Sequence, residues 1–414
     1  MPATRRRDLL RDRRLVGLLL RDVVSLTGSQ MTWVALPWFV LTTSGSATRM
    51  TAVLAMQAAA VAVGGLALGG VATHAGPRRT MLVCDAARAP ILAAIPLLHL
   101  AGALSFGVLL ALVAAMGTLM TPSFASKAAL LPDLVGDDES ALAEANALLQ
   151  MANRTAAIAG PPVAGVLIGV IGATSVLLVD ALTFAAGFAL IAVLVRVPGA
   201  PAPEQDETRG LAAGFRFLVG DSLLRGWSAA LILGDVVWLA LFAAIPVLVV
   251  TRFGEQPELV GWIFAGFGFG AVLGSVIALR IVRSVDRLLL ASVGELGMAA
   301  PLWVFVFHVP APVLVAAMGA AGLANGLVNA PAHTIVMLRT PARLRTKLFS
   351  AIITAVAVLS PVALLATGPS LERFGVDPTV AVLVAIDSVA VLLFAWTGLR
   401  HRAAVATRAA ASRA

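Results

Sequence analysis

Three charged side chains, those of Asp22, Arg154 and Asp235, lie inside long apolar runs of the sequence. A charge in apolar surroundings costs free energy, about 2.5–3.5 kcal/mol at the centre of a membrane helix, so each residue needs a reason to be there. A carboxyl group can take up and release a proton, which makes Asp22 and Asp235 candidate proton carriers or partners of a cationic ligand. Arginine stays protonated, so Arg154 must be paired or must face water. The alternatives are a hydrated position beside Arg21 for Asp22 and a structural ion pair for Arg154.

A second group of residues is suited to contact a small molecule. Asn325, Asn329 and His333 follow one another at intervals of four, so they form one polar stripe along a helix. Such a stripe either lines a cavity or forms hydrogen bonds between helices, which are worth about 0.6 kcal/mol each. The other cavity candidates are Gln30, Trp33 and Trp238. Single tryptophans in apolar runs also serve as packing residues or interface anchors.

The remaining acids in apolar runs are interpreted as structural. Asp180, Glu295 and Asp387 belong to this group. Asp85 and Arg88 are three positions apart, so they can pair on one face of a helix. We expect that pair to support a nearby gate and not to contact a substrate.

The composition indicates what surrounds these charges. Hydrophobic residues make up 59% of the chain and charged residues 13%, whereas soluble domains contain about 45–50% and about 25%. The apolar excess predicts a protein embedded in a lipid bilayer. Cys84 is the only cysteine and the five histidines are scattered, so we expect no disulfide, no metal site and no cofactor.

The hydropathy pattern predicts twelve membrane-spanning helices, numbered here as spans 1 to 12 in chain order. A spanning helix needs about 20 mostly apolar residues. The first apolar run is too long for a cleaved signal peptide, so we expect it to be retained. The predicted spans are residues 15–41, 50–72, 79–98, 104–122, 142–170, 172–195, 227–250, 258–280, 287–307, 311–338, 348–369 and 378–399.

The basic residues predict the orientation. Of the 30 lysines and arginines, only Arg49, Arg252 and Arg373 fall in loops on one side. Nearly all others, Lys127 and both terminal tails included, are assigned to the opposite side. Because basic loops stay in the cytoplasm, we expect both termini to be cytoplasmic. The formal charge of +8 then reflects topology, and we expect no nucleic-acid partner.

The two halves of the chain resemble each other. Pro122 and Pro132 follow span 4 just as Pro331 and Pro341 follow span 10. Other residues recur at nearly the same separation: Gly65 with Gly270, Gly69 with Gly274, Asp85 with Glu295, and Asp180 with Asp387. Parallel six-span repeats with a site at their interface are a known transporter architecture. We therefore predict an N-terminal half (1–195), a cytoplasmic linker with an amphipathic segment (196–226) and a C-terminal half (227–414).

The segment between spans 2 and 3 resembles the signature loop of the major facilitator superfamily, G-x-x-x-D-R-x-G-R-R. It reads GGVATHAGPRR from Gly69 to Arg79, with Thr73 in place of the acid and His74 in place of the first base. The resemblance covers nearly the whole chain. It implies an all-α membrane protein with twelve transmembrane helices in two pseudo-symmetric six-helix halves. The gating loop that it implies consists of Gly69, Gly76, Arg78, Arg79, Asp85 and Arg88.

Shorter stretches resemble the drug:proton antiporter branch of that superfamily, which includes enterobactin-type siderophore exporters and macrolide efflux proteins. They are VSLTGSQMTWVALPW (24–38), ALLPDLV (129–135), LAEANAL (142–148) and AAGFRFL (212–218). AGPPVAG, with Gly160, Pro161 and Gly165, resembles the span-5 motif of proton-coupled exporters. Spans 1 and 5 pack together in the resembled fold, which implies that Asp22 approaches Arg154.

These observations predict a secondary active transporter. The resemblance implies a proton-coupled exporter of a drug-like, siderophore-like or secondary-metabolite small molecule, working by alternating access as a monomer in the bacterial plasma membrane. The sequence contains no GxxxxGK[ST] phosphate-binding loop, so an ion gradient is the expected energy source. The alternatives are a nutrient importer of the same fold and, from other classes, a membrane-embedded enzyme or an accessory subunit.

Overall fold

The computed structural model describes residues 11–136, 138–195, 211–281 and 285–411. Within these ranges, the side chains of residues 65–75, 211–214, 342–343, 346 and 403–411 are outside the description. The first of these stretches includes Gly69, Thr73 and His74 of the predicted gating loop. The predicted linker stretch 196–210 also lies outside the described residues. The chain divides into two compact units, Met1–Gln205 and Asp206–Ala414. The described residues are helical and contain no strand.

The N-terminal unit contains six helical elements among its described residues. They are α1 (Arg13–Ser44), α2 (Ala47–Ala75), α3 (Pro77–Leu100), α4 (Phe106–Thr118), α5 (Met120–Val135) and α6 (Glu139–Leu194).

The C-terminal unit contains seven α-helices and one 3-10 turn in its described part. They are α7 (Leu211–Gly220), α8 (Ser222–Phe253), α9 (Pro257–Ile281), α10 (Arg287–Leu302) with the 3-10 turn Trp303–Val306, α11 (Ala311–Arg339), α12 (Ala342–Phe374) and α13 (Val376–Ala411).

The helices account for the twelve predicted spans. Ten helical stretches of the described chain are long and apolar enough to cross a membrane. One of them, α6, holds two predicted spans, because Gly172 adopts φ 81° and ψ 153° and so interrupts the helix. The twelfth is α1, whose 32 residues suffice to span a bilayer but include Arg21 and Asp22. The prediction of an all-α membrane protein is therefore confirmed.

Short polar residues begin many of the helices. Asp12 accepts a hydrogen bond from the backbone N–H of Arg14 at 2.8 Å, and Asp221 accepts from Leu223 at 2.9 Å and from Leu224. Such side chains satisfy backbone donors that have no partner within the helix. The predicted amphipathic segment therefore divides at Asp221 into α7 and the start of α8.

The N-terminal unit is held together by the packing of α1 along α6, with α3 and α5 against them. Their contact buries an apolar cluster that includes Leu15, Leu18, Met81, Leu130 and Ile191. Around this core, the outward side chains are often apolar as well, as at Val170, which is 75% exposed. Exposed apolar surface of this kind suits a lipid environment.

The C-terminal unit has a corresponding core and a close helix contact. Trp227 stacks on Phe394 with 4.2 Å between ring centroids, and its indole N–H donates to the Phe394 carbonyl at 3.1 Å. Helix α9 packs against α11, where a Cβ on Gly270 would overlap the carbonyl oxygen of Gly319. A glycine is thus needed at position 270 for the two backbones to approach.

Candidate functional site: a buried charge network

Arg21 on α1 lies at the centre of a charge network in the N-terminal unit. Its guanidinium group forms two hydrogen bonds to Asp85 on α3, at 2.9 Å and 2.5 Å. It also donates to Asp22 at 3.0 Å and to the Ser123 hydroxyl at 3.1 Å. The fork of N–H groups on arginine suits such multiple contacts. Arg21 thereby connects three helices.

Asp22 is held by a second cation as well. Its other carboxyl oxygen accepts a hydrogen bond from the Lys127 ammonium group on α5 at 2.8 Å. The side chain of Asp22 has no exposed surface, and that of Lys127 is 10% exposed. A buried charge is tolerated when it is paired. The network of Arg21, Asp22, Asp85 and Lys127 contains two acids and two bases, so its formal charges balance.

The structure changes three predictions about these charges. Asp22 pairs with Arg21 and Lys127, while Arg154, the partner implied by resemblance, is exposed on α6. Asp85 pairs with Arg21 and not with Arg88, the residue three positions away. Lys127 was assigned to a cytoplasmic loop because span 4 was predicted to end at residue 122. A second helix, α5, follows α4 directly, and places this lysine inside the unit.

A second polar contact lies deeper along α1 and α6. Asp180 is 1% exposed and accepts hydrogen bonds from Thr32 at 2.6 Å and from Thr183 at 2.8 Å. The Arg88 guanidinium group lies 4.0 Å from the centre of the Phe184 ring and interacts electrostatically with Asp180. A cation over an aromatic face gains electrostatic stabilisation. Asp85 and Asp180, the two acids of this unit that have counterparts in the C-terminal half, therefore each have a nearby cation.

The predicted gating loop contains a sharp turn between α2 and α3. Gly76 adopts φ 79° and ψ 149° there, a conformation that disfavours any residue with a side chain. Arg78 donates hydrogen bonds to the carbonyl groups of Val195 and, at 3.1 Å, of Ala192, whereas Arg79 is exposed. Arg78 therefore ties the start of α3 to the end of α6.

The span-5 motif forms a close contact with α1. A Cβ on Gly160 would overlap the Cβ of Gln30, while Gly160, Pro161 and Gly165 are buried. Gln30 is half-buried, and Trp33 is 39% exposed. The two predicted cavity residues of α1 are thus accessible, with Gln30 positioned by the motif.

Trp238 on α8 belongs to an aromatic group in the C-terminal unit. Its ring centroid lies 5.3 Å from that of Phe242 and 5.1 Å from that of Phe267, and Phe264 completes the group at 5.3 Å from Phe242. The three phenylalanines are half-buried, and Asp235, one helical turn from Trp238, is exposed. These rings offer an apolar surface beside a carboxyl group.

The polar stripe on α11 makes contacts of two kinds. The Asn329 amide donates to Asn325 at 3.1 Å, and the Asn325 amide approaches the Met298 sulfur at 3.8 Å. His333 is exposed and stacks on Phe349 with 4.8 Å between ring centroids. The stripe is therefore partly engaged with its neighbours, and Asn329 and His333 stay accessible.

Two compact helical units with apolar spans and a charge-balanced buried network indicate a multi-pass membrane protein. Residues 22–363 match the family model of the Major Facilitator Superfamily. The chain belongs to that superfamily, which confirms the resemblance noted in the sequence. It is accordingly a secondary transporter and not an enzyme.

Two curated relatives extend over most of the chain. The multidrug efflux pump Tap of Mycolicibacterium fortuitum is 27% identical over 383 residues, which cover 88% of this chain and 91% of that protein. The multidrug efflux pump Tap of Mycobacterium tuberculosis is 25% identical over 380 residues, 87% of this chain and 88% of that protein. The names of these relatives agree with the drug-exporting branch predicted from short motifs.

Solved structures share the fold at low sequence identity. A bacterial homolog of the human lysosomal transporter Spinster has a TM-score of 0.70 and 15% identity, covering 96% of this chain and 98% of that one. A D-xylose-proton symporter has a TM-score of 0.65 and 15% identity, covering 92% of this chain and 96% of that one. At this identity the likeness shows the fold alone.

Proposed function

We propose that this protein exports drug-type small molecules by proton-coupled alternating access. The similarity to two multidrug efflux pumps over nearly nine-tenths of the chain supports export of such molecules. A monomer in the bacterial plasma membrane, with both termini and the linker in the cytoplasm, belongs to the same proposal. The distribution of lysine and arginine supports that orientation.

The position of Asp22 carries the proposal of proton coupling. Its carboxyl group is fully buried, and each of its oxygens contacts a different cation. When Asp22 is ionised, the network has no net formal charge. When Asp22 takes up a proton, one negative charge is lost and Lys127 is left without its counter-ion. An unpaired charge within the membrane costs about 2.5–3.5 kcal/mol, so the protonated network favours a rearrangement.

The network joins the helices that this rearrangement would move. Asp22 connects α1 to α5 through Lys127, and Arg21 connects α1 to α3 through Asp85. Loss of the contact between Asp22 and Lys127 leaves the hydrogen bond from Arg21 to Ser123 as the network's remaining link between α1 and α5, while the pair of Arg21 and Asp85 still holds α3. Proton uptake and release at Asp22 are thereby linked to helix movement, which is what coupling requires.

Reconstitution in liposomes tests this function. The purified protein is reconstituted, and ethidium is the fluorescent probe under an imposed pH gradient. We expect gradient-driven probe movement in the natural protein and none in Asp22→Asn, although that variant still binds the probe and exchanges it downhill. Glu139→Gln, which removes an exposed acid at the start of α6, is the matched control and is expected to be active.

Three results would contradict the proposal in different ways. A fully active Asp22→Asn variant would remove Asp22 from coupling and leave Asp235 as the acid to test. Probe movement that follows its own gradient, whatever the pH gradient, would exclude proton coupling altogether. Accumulation in right-side-out vesicles of a nutrient, with no movement of ethidium, would support the importer instead.

A further inference from the structure

One carboxyl group of the C-terminal unit interacts electrostatically with two others, and the three belong to three different helices. They are Asp235 on α8, Glu295 on α10 and Asp387 on α13. Glu295 interacts electrostatically with both others, so the three residues form one group, here called the acidic cluster. Exposure decreases along it: Asp235 is exposed, Glu295 is half-buried and Asp387 is 1% exposed.

The buried end of the acidic cluster has unsatisfied polar atoms. Neither carboxyl oxygen of Asp387 has a hydrogen-bond partner among the described residues. Trp238, which is 7% exposed, faces this carboxyl group with its indole N–H, yet that nitrogen also lacks a hydrogen bond of good geometry. A buried carboxylate without a partner or counter-ion is strongly disfavoured. Something must therefore compensate the charge of Asp387.

No basic side chain in the described part of the unit provides that compensation. On the helices that pack against the acidic cluster, bases pair with other acids, contact backbone or rings, or lie near helix ends. The acid-paired ones are Arg252 with Asp377, Arg339 with Asp221 and Arg402 with Asp286. Arg225 and Arg345 donate hydrogen bonds to backbone carbonyl groups. Arg373, Arg400 and His333 lie against aromatic rings. Those near helix ends are Arg280, Arg287 and Lys347. His401 on α13 lies against Arg339 at 2.6 Å.

The N-terminal repeat shows what a compensated arrangement looks like. Asp85 and Asp180 are the counterparts of Glu295 and Asp387 in the sequence repeat. Asp85 forms a salt bridge with Arg21 at 2.5 Å, and Asp180 accepts two hydrogen bonds and interacts electrostatically with Arg88. Among the described residues, the equivalent positions thus have counter-ions in the N-terminal unit and none in the C-terminal unit.

A proton fits the acidic cluster better than a metal ion does. Among the described residues, no three acids, histidines or cysteines lie close enough to hold a metal ion together. A proton needs one carboxyl oxygen, and it removes the charge that burial penalises. The graded exposure from Asp235 to Asp387 also provides successive carboxyl groups between the surface of the unit and its interior.

We propose that the acidic cluster is a proton-binding site of the C-terminal unit, in which Asp387 carries the proton and Glu295 and Asp235 connect it to the surface. This site deepens the proposed proton coupling and rests on it for its part in transport. Its occupancy by a proton, however, is measurable without any transport.

Infrared spectroscopy of the full-length protein in lipid nanodiscs at pH 7 tests the proposal. A protonated carboxyl group has a C=O stretching band separate from that of a carboxylate. We expect such a band in the natural protein, its loss in Asp387→Asn, and a shift of its frequency in Glu295→Gln. The matched control is Asp377→Asn, which removes a salt-bridged acid from the same helix and is expected to leave the band unchanged.

Two results would overturn the assignment. One is a natural protein without a protonated-carboxyl band, and the other is a band that persists in Asp387→Asn. If gel filtration shows that Asp387→Asn does not fold, Glu295→Gln decides, because an unshifted band there contradicts the cluster. The liposome assay on Asp22→Asn is independent of these spectra, so failure of one proposal is distinguishable from failure of the other.

Discussion

The contact between Asp22 and Lys127 leads to a quantitative prediction about stability. Asp22→Asn leaves Lys127 buried without its acid, and Lys127→Met leaves Asp22 with Arg21 alone. Removing one partner of a buried pair costs about 3–5 kcal/mol. Because Arg21 still contacts Asp22 at 3.0 Å, we expect Lys127→Met to lower the free energy of unfolding by about 3 kcal/mol, the lower end of that range. The matched control is Lys347→Met, since Lys347 is exposed, with an expected effect within about 0.5 kcal/mol.

A double variant measures the interaction energy between Asp22 and Lys127 apart from the contacts that each makes with other residues. Asp22→Asn with Lys127→Met removes both charges, so the network keeps one acid and one base. We expect the double variant to be more stable than the sum of the single effects predicts, by about 2 kcal/mol, within the range for residues in contact. The free energy of unfolding is measured by SDS titration in mixed micelles. Additive single effects, equal to the double effect within about 0.5 kcal/mol, would refute the reasoning.

Three further predictions follow from the loop, the orientation and the helix contacts. Arg78→Ala is expected to slow ethidium transport in liposomes with unchanged affinity; tenfold weaker binding at an unchanged rate would contradict a gating role. In a Cys84→Ala background, a membrane-impermeant thiol reagent added to whole cells is expected to label a cysteine at Ser46 and not one at Gly199, and the reverse pattern would overturn the orientation. Gly270→Ala forces α9 away from α11, so we expect a loss of about 1–3 kcal/mol in the same SDS titration; an unchanged stability would contradict the close contact.

Much of the architecture was predictable because the bilayer constrains local sequence. A helix must be about 20 mostly apolar residues long to cross it, and this requirement is visible in any window of the chain. The interruption at Gly172 also fell at the first residue of predicted span 6, next to the predicted boundary. The boundary after span 4 was less visible, because α5 continues directly from α4 and its apolar residues surround a lysine. The prediction therefore placed Lys127 in a loop, although the apolar run 128–131 directly after it was the available signal.

The pairing of charges was not predictable in the same way. The spacing of Asp85 and Arg88 allows them to pair, and the sequence offers no reason to prefer Arg21, which lies 64 positions from Asp85. Resemblance likewise suggested Arg154 for Asp22, whereas the nearest cations are Arg21 and Lys127. Similarly, Asp180 and Asp387 occupy equivalent positions in the repeat. The sequence does not show which of them has a counter-ion, because their neighbours in space come from distant parts of the chain.

The sequence by itself determined that this protein lies in a membrane as a set of apolar helices and to which superfamily it belongs, because hydropathy and short motifs are local properties. Only the tertiary structure decided which buried charges compensate each other. Electrostatic attraction and desolvation depend on distances between side chains in space, and helices far apart in the chain set those distances. Asp22 therefore has two cations, and Asp387, in the described part of the protein, has none.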